Sequence, residues 1–229
     1  MNIKHKKPTL TKKQRHRLRV QQVRRQKIFL TFLFLLIVGC ILLRFSKFSG
    51  RQEEAHQINA ACEAYRDEVS SEAAQYDMSD YVDLLLAVMM QESSGQGTDP
   101  MQSSEGAYNT RYPQQPNGIT DPSYSISCGI QELKYALDKA GCTGPTDLSK
   151  IRLALQAYNF GADSYFAYLE ENGQTVWTAQ SAQAFAQMAS GGTQRDEDDP
   201  LHDPAGPWDY GDQYYPDHVL RYYHLDNNS

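Results

Sequence analysis

The chain has 229 residues, 40% hydrophobic and 22% charged, with a net charge of −6. That figure averages two opposite ends: fourteen Lys and Arg precede the first acidic residue, Glu53, whereas residues 52–229 carry 28 Asp and Glu against eight Lys and Arg, a net of −20. Such asymmetry argues against a nucleic-acid binder and against a plain cytosolic enzyme; it points to a basic arm or membrane segment joined to an acidic domain.

Residues 1–27 hold eleven Lys and Arg and read as a cytoplasmic arm. The next sixteen, 28–43, are uncharged and apolar. At about 1.5 Å per residue they reach roughly 24 Å, short of the roughly 30 Å hydrocarbon core. Lys27, Arg44 and Lys47 can snorkel, and Phe45 and Phe48 extend the run, so a single transmembrane helix is expected over 28–48. The basic arm keeps the N-terminus inside, which places everything beyond residue 48 outside the cell. A cleaved signal peptide would need small residues where Arg44, Phe45 and Lys47 stand. Ile37-Val38-Gly39-Cys40 resembles a lipoprotein cleavage box and leaves a lipid anchor as the alternative, although apolar residues continue past Cys40.

After a linker over 49–54, residues 55–225 read as one mainly α domain, large enough for a proper core. Ile58, Cys62, Tyr65, Val69, Ala73 and Tyr76 recur at steps of three and four, one stripe of an amphipathic helix. Ser79 is a candidate N-cap for a second helix, 80–92, that is apolar nearly all round and therefore expected in the core. Residues 93–124, rich in Ser, Gly, Pro, Asn and Gln, predict a long functional or disordered loop. Helical patterns resume at 126–140, 148–158, 161–169 and 178–189. The tail is acidic and then aromatic (Trp208, Tyr210, Tyr214, Tyr215, Tyr222, Tyr223), and is expected to pack back onto the domain.

The chemistry narrows by elimination. There is no Gly-x-Ser-x-Gly elbow, phosphate loop, dinucleotide fingerprint or His-Glu-x-x-His site, and the six His are scattered, so neither a cofactor nor a metal is expected. Cys62, Cys128 and Cys142 read best as buried free thiols. An exterior location would permit a Cys128–Cys142 bridge only if the chain folded back within about 7 Å across a 14-residue helix. What remains is a carboxylate. Glu92 ends the most apolar helix, where desolvation and the negative end of the helix dipole both favour the protonated acid that proton donation requires; taken by itself it reads first as an ordinary solvated Glu at a helix end.

Around Glu92 four motifs come in order: Gln91-Glu92-Ser93; Asp99-Pro100-Met101-Gln102-Ser103-Ser104-Glu105; Asp121-Pro122-Ser123-Tyr124-Ser125-Ile126-Ser127-Cys128-Gly129; and Ala157-Tyr158-Asn159-Phe160-Gly161. With the late Tyr210-Gly211-Asp212 and His218-Val219-Leu220-Arg221-Tyr222-Tyr223, this order resembles the goose-type lysozyme and soluble lytic transglycosylase superfamily. It is most similar to the lysozyme-like muramidase domain of cell-wall hydrolases carried by conjugative elements of Gram-positive bacteria. The resemblance implies a lysozyme-like helical fold and hydrolysis of the β-1,4 bond between N-acetylmuramic acid and N-acetylglucosamine in peptidoglycan. Glu92 then matches the general acid and Asp99 a second acidic residue of related muramidases, though Asp99-Pro100 is equally an ordinary turn. Met101-Gln102 resembles the Met-Gln of the family's glycan-contacting floor loop, which makes Gln102 and the adjoining Ser103 candidate glycan contacts, and Tyr158 and Asn159 match the segment lining the cleft opposite the acid. Many relatives append a Cys-His peptidase domain; with the chain ending at Ser229, a single activity is expected.

The expected partners are peptidoglycan strands, the membrane and subunits of a conjugation or secretion apparatus. The competing readings are a lytic transglycosylase giving 1,6-anhydro products, and a non-catalytic glycan-binding assembly module.

Overall fold

The computed structural model describes residues 56–199 and 202–224; the basic arm, the expected span over 28–48 and the linker lie outside the described residues. Among the described residues no helix is long and apolar enough to cross a membrane, and the only extended pairing is a single antiparallel bridge between Gln194 and Trp208.

The first amphipathic stripe does not form one helix. It is divided into α1 (Ala60–Glu63) and α2 (Arg66–Gln75), with a break at Ala64 and Tyr65. α1 is tied to a distant part of the chain. Asn59 caps it, its Oδ1 accepting from the Cys62 N–H at 2.8 Å, while the same side chain donates through Nδ2 to the Ser94 carbonyl at 3.0 Å. Gly95, in a left-handed conformation (φ 73°), lies so close that a Cβ there would stand 2.8 Å from the Cys62 nitrogen. The turn immediately after Glu92 is thus clamped against α1.

Ser79 opens a short 3-10 turn (Ser79–Tyr81) rather than capping an α-helix, and α3 (Val82–Glu92) begins three residues later. Leu84 to Met89 are all buried, which is why this helix is apolar on every side. Each such side chain contributes roughly 1.5–3 kcal/mol by leaving water. That burial fixes the helix whose last residue is Glu92.

α4 (Pro122–Ala140) starts earlier than the apolar pattern alone predicts, because Asp121 caps it and Pro122, with φ preset, occupies its first turn. It ends at Gly141 (φ 69°), where the Cys142 N–H bonds the Leu137 carbonyl and the Gly141 N–H that of Asp138. α5 (Leu148–Phe160) lies along α4; α6 (Ala162–Glu171) and α7 (Ala179–Ala189) follow, the latter opened by a Thr178–Ser181 capping box. The tail does pack back. Tyr210 joins Phe160, Tyr165 and Phe185 in a ring cluster with centroids 5.1–5.8 Å apart, and α8 (Tyr215–Leu220) lies against α3 and α5. The thiols of Cys62, Cys128 and Cys142 are all free.

Gly129 in α4 is where the long loop meets the helices. A Cβ there would lie 2.7 Å from the Met101 Cβ. Met101 cannot retreat easily, because its N–H donates to Ser125 Oγ at 3.1 Å and its carbonyl accepts from the Tyr158 hydroxyl at 2.8 Å. Gly129→Ala should gain about 1 kcal/mol of helix propensity and lose about 1–3 kcal/mol to overpacking. The net expectation is a melting temperature several degrees lower with helical circular dichroism retained; an unchanged or higher value would contradict this contact.

Candidate active site

Glu92 lies half-buried at the end of α3, on the wall of a cleft of about 580 Å³. The cleft is built from six parts of the chain: the end of α3, the 102–108 loop, α4, the end of α5, the start of α6 and the tail at Tyr210 and Gly211. Glu105, Glu132 and Asp163 also line it, and no Lys or Arg does. A second depression, of about 520 Å³, shares Glu92, Asn159 and Gly211 with the first and carries Arg195, Arg221 and His218. Glu92 therefore stands where two grooves meet, with room for an extended ligand on either side.

The carboxyl is positioned by the tail. Glu92 Oε1 accepts a short hydrogen bond from the Tyr215 hydroxyl, and the Tyr215 ring stacks on that of Tyr158 at 6.3 Å and 21°. Tyr215 is in turn set by α5, one turn of which grips both backbone groups of Asp212. Gln156 Nε2 donates to the Asp212 carbonyl at 2.8 Å, and Asn159 Oδ1 accepts from the Asp212 N–H at 2.7 Å. Gln156 is itself buried and fixed by the Trp177 indole N–H at 2.8 Å. Gly211 (φ 48°) allows the close approach, since a Cβ there would lie 2.6 Å from Asn159 Oδ1.

Desolvation raises the Glu92 pKa to about 7, against the opposing pull of the Tyr215 hydrogen bond, with Asp212, Asp99 and Glu132 adding like-charge repulsion. Burial, expected from the sequence, is the dominant cause. The neighbouring carboxylates take the place that the helix dipole held in the sequence argument. Asp212 does not stand alone, because its Oδ2 meets His218 Nδ1 at 2.5 Å, and that contact raises the His218 pKa.

Of the remaining residues singled out in the sequence, Gln102, Tyr158 and Asn159 line the cleft with Glu92. Gln102 is exposed and adopts φ 49°; its amide donates to the Asp99 carbonyl at 3.0 Å and to Asn117 Oδ1 at 3.1 Å. Asp99 and Ser103 do not line it. Asp99 is only 1% exposed, and both its oxygens are taken: Oδ1 by the Ser103 N–H (3.0 Å) and the Ser125 hydroxyl (2.6 Å), Oδ2 by the N–H and hydroxyl of Ser104. Four donors hold a loop that has no secondary structure of its own, which is what a turn-forming Asp-Pro does when it is fully satisfied. The Ser103 hydroxyl points inward to the Ser125 carbonyl at 3.0 Å.

Two cleft groups escaped the sequence reading. Tyr215 sits in an aromatic tail where no tyrosine stands out. Glu132 looks like an ordinary polar position of α4, its one signal being the glycine at 106 that makes room for it: a Cβ on Gly106 would lie 1.4 Å from Glu132 Oε1.

Residues 60–223 match the lysozyme-like family model. The chain belongs to the lysozyme-like family. It is similar to the bifunctional muramidase/DL-endopeptidase CwlT of Bacillus subtilis, with 35% identity over 76% of this chain and 43% of that protein. It is also similar to the membrane protein YocA of the same organism (39% identity over 48% of this chain and 45% of YocA) and to a pneumococcal vaccine antigen A homolog of Streptococcus pyogenes (37% over 48% of this chain and 50% of that one). The chain spans about half the length of these curated relatives. Among solved structures, a Staphylococcus aureus protein described as similar to a lipoprotein of the NLP/P60 family superposes with a TM-score of 0.62 at 26% identity, over 76% of this chain and 56% of that one.

Holding Glu92 in this place costs stability, and the sign of its pH dependence follows from its pKa. A carboxyl raised from 4.5 to about 7 is neutral in the folded chain and charged in the unfolded one between those values. Folding is therefore progressively disfavoured as pH rises through that window, by roughly 3 kcal/mol once above it. Glu92→Gln should accordingly unfold at higher denaturant than the wild type at pH 8, with the difference shrinking toward pH 5. A constant difference across that range would contradict a buried, neutral carboxyl.

Proposed function

We propose that this chain is a peptidoglycan hydrolase that cleaves the β-1,4 bond between N-acetylmuramic acid and N-acetylglucosamine, with Glu92 as the general acid. The observation that carries this reading is a half-buried carboxyl, protonated up to about neutral pH, at the junction of two grooves. A glycan strand threaded through both grooves would place its glycosidic oxygen against Glu92. Proton transfer to that oxygen leaves the carboxylate charged, and the Tyr215 hydroxyl already donates to it. Tyr215 thus stabilises the state reached after the proton leaves, the direction in which help is needed. Gln102 and Asn159 offer amide groups to the sugar, as cleft polar groups do. Asp99 acts through the loop: by tying Ser103, Ser104 and Ser125 together it holds Gln102 at the cleft edge.

The relative CwlT carries the name of a muramidase, and the lysozyme-like family membership agrees with glycan cleavage. Anchoring by a single N-terminal span is supported by the basic-then-apolar N-terminus and by the likeness to the membrane protein YocA. A domain of net charge −20 gains no attraction to an anionic wall, so a tether would set its local concentration there. Local opening of the wall would suit a conjugation or secretion apparatus as partner.

The decisive test is mass spectrometry of purified peptidoglycan after incubation with the protein. Reducing muramic acid ends are expected, with Glu92→Gln slowed by 10²–10⁴-fold, the usual worth of a positioned acid. Ends of 1,6-anhydro type would reassign the chain as a lytic transglycosylase. Equal release by the Gln variant would overturn the assignment of the acid.

A further inference from the structure

Hydrolysis needs a second group to activate water, and Asp99, sequestered under its loop, is not placed to do so. The same cleft contains another carboxyl. Glu132, on α4, lines it together with Glu92. Its Oε1 is screened from solvent and has no hydrogen-bond partner among the described residues. The Ala107 and Tyr108 N–H groups act on this carboxyl, yet Oε1 keeps no donor of its own, which is rare for a buried acceptor atom and costs about 1–3 kcal/mol. Gly106 confirms that the place is made for it: any side chain at 106 would overlap the carboxyl, whereas glycine leaves it seated at the cleft wall.

We propose that Glu132 is the general base of the reaction, taking a proton from the water that attacks the muramyl C1. This rests on the muramidase reading above. In the step, the water oxygen bonds to C1 as its O–H breaks, the proton passing to the Glu132 carboxylate. The C1–O4 bond breaks, and its electron pair stays on the departing oxygen, which takes the proton of Glu92. Glu132 ends protonated and Glu92 ionised, and exchange with solvent resets both. Water attacking from the side opposite the leaving group gives inversion at C1.

Burial also raises the Glu132 pKa to about 7, with Asp99 adding repulsion and the Ala107 and Tyr108 N–H groups opposing it. Glu92, Asp99, Tyr108, Cys128 and Tyr158 are the titratable groups whose charges couple to it. Glu105 and Asp163 add charge at the cleft wall, and no cation lines it. Two carboxyls with midpoints near each other and a repulsion between them titrate as a pair, with one proton shared over an intermediate range. That singly protonated state is the working one. A base that must be ionised gives the acidic limb of the rate profile, and an acid that must be protonated gives the alkaline limb.

The test uses the full chain on purified peptidoglycan, with Glu132→Gln, Glu132→Ala and Gly106→Ala beside the wild type, each first shown to melt cooperatively. Glu132→Gln should lower kcat/KM by 10²–10⁴-fold and lose the acidic limb while keeping the alkaline one. Formate should restore turnover to Glu132→Ala, and the wild-type product should form first as the inverted anomer by proton NMR. Gly106→Ala, which leaves the carboxyl intact but unseats it, should fall by at least tenfold. An active wild type with a Gln variant within threefold of it, or an Ala variant that formate does not rescue, overturns this inference alone. A wild type that releases nothing overturns the muramidase reading with it.

Discussion

The site depends on one constraint: the carboxyl of Glu92 is held half-buried and poorly hydrated at the cleft wall while a single hydroxyl, that of Tyr215, donates to it. Desolvation and this hydrogen bond oppose each other, and desolvation wins, which leaves the carboxyl titrating near neutral pH instead of near 4.5. The rest of the domain can be understood as the apparatus that enforces this balance. α3 is apolar on every face because its last residue must be delivered from the core. The clamp of Asn59 and Gly95 on α1 stops the chain after Glu92 from drifting outward. Gln156 and Asn159, one turn apart on α5, hold the Asp212 peptide by both its polar groups, and α8 follows from it with Tyr215 in place.

The long loop is the second half of the apparatus, and it is ordered without secondary structure. Asp99 supplies the acceptors, Ser103, Ser104 and Ser125 the donors, and Met101 the apolar anchor that sits on Gly129. Such a polar network is stable only when its members are satisfied, since each orphaned buried group costs about 1–3 kcal/mol. Asp99 is fully satisfied beneath its loop, whereas Glu132, at the cleft wall, has Oε1 without a partner. That contrast separates a carboxylate that holds structure from one left available to chemistry.

How much could be read from residues alone follows the same physics. The helices from α3 to α7 were legible because each carries a periodic apolar face or an unmistakable terminator, such as Gly141 and the Thr178 cap. The break between α1 and α2 was not, because Ile58 to Tyr76 keep helical spacing across it, and nothing in that spacing shows that Asn59 ties α1 to Ser94, 35 residues away. Ser79 has the right chemistry for a cap, yet tertiary packing tightens its turn into a 3-10 geometry. Glu92 was legible because the ordered motifs that follow it resemble the lysozyme-like pattern; its place at the end of an apolar helix alone suits a solvated Glu equally well. The resemblance implies glycan-facing roles for Asp99 and Ser103, but a motif match says where a residue lies along the chain and not which way its side chain turns. Glu132 and Tyr215 were invisible for the complementary reason: each is an unremarkable member of its own segment, and only the fold sets them beside the cleft.

A titration of the Glu92 side-chain carboxyl by ¹³C NMR, assigned by comparison with Glu92→Gln, addresses the central claim without reference to any substrate. The account predicts a midpoint near pH 7. A midpoint at the ordinary glutamate value, near 4.3, would show the carboxyl to be solvated and would remove the basis for proton donation at this site.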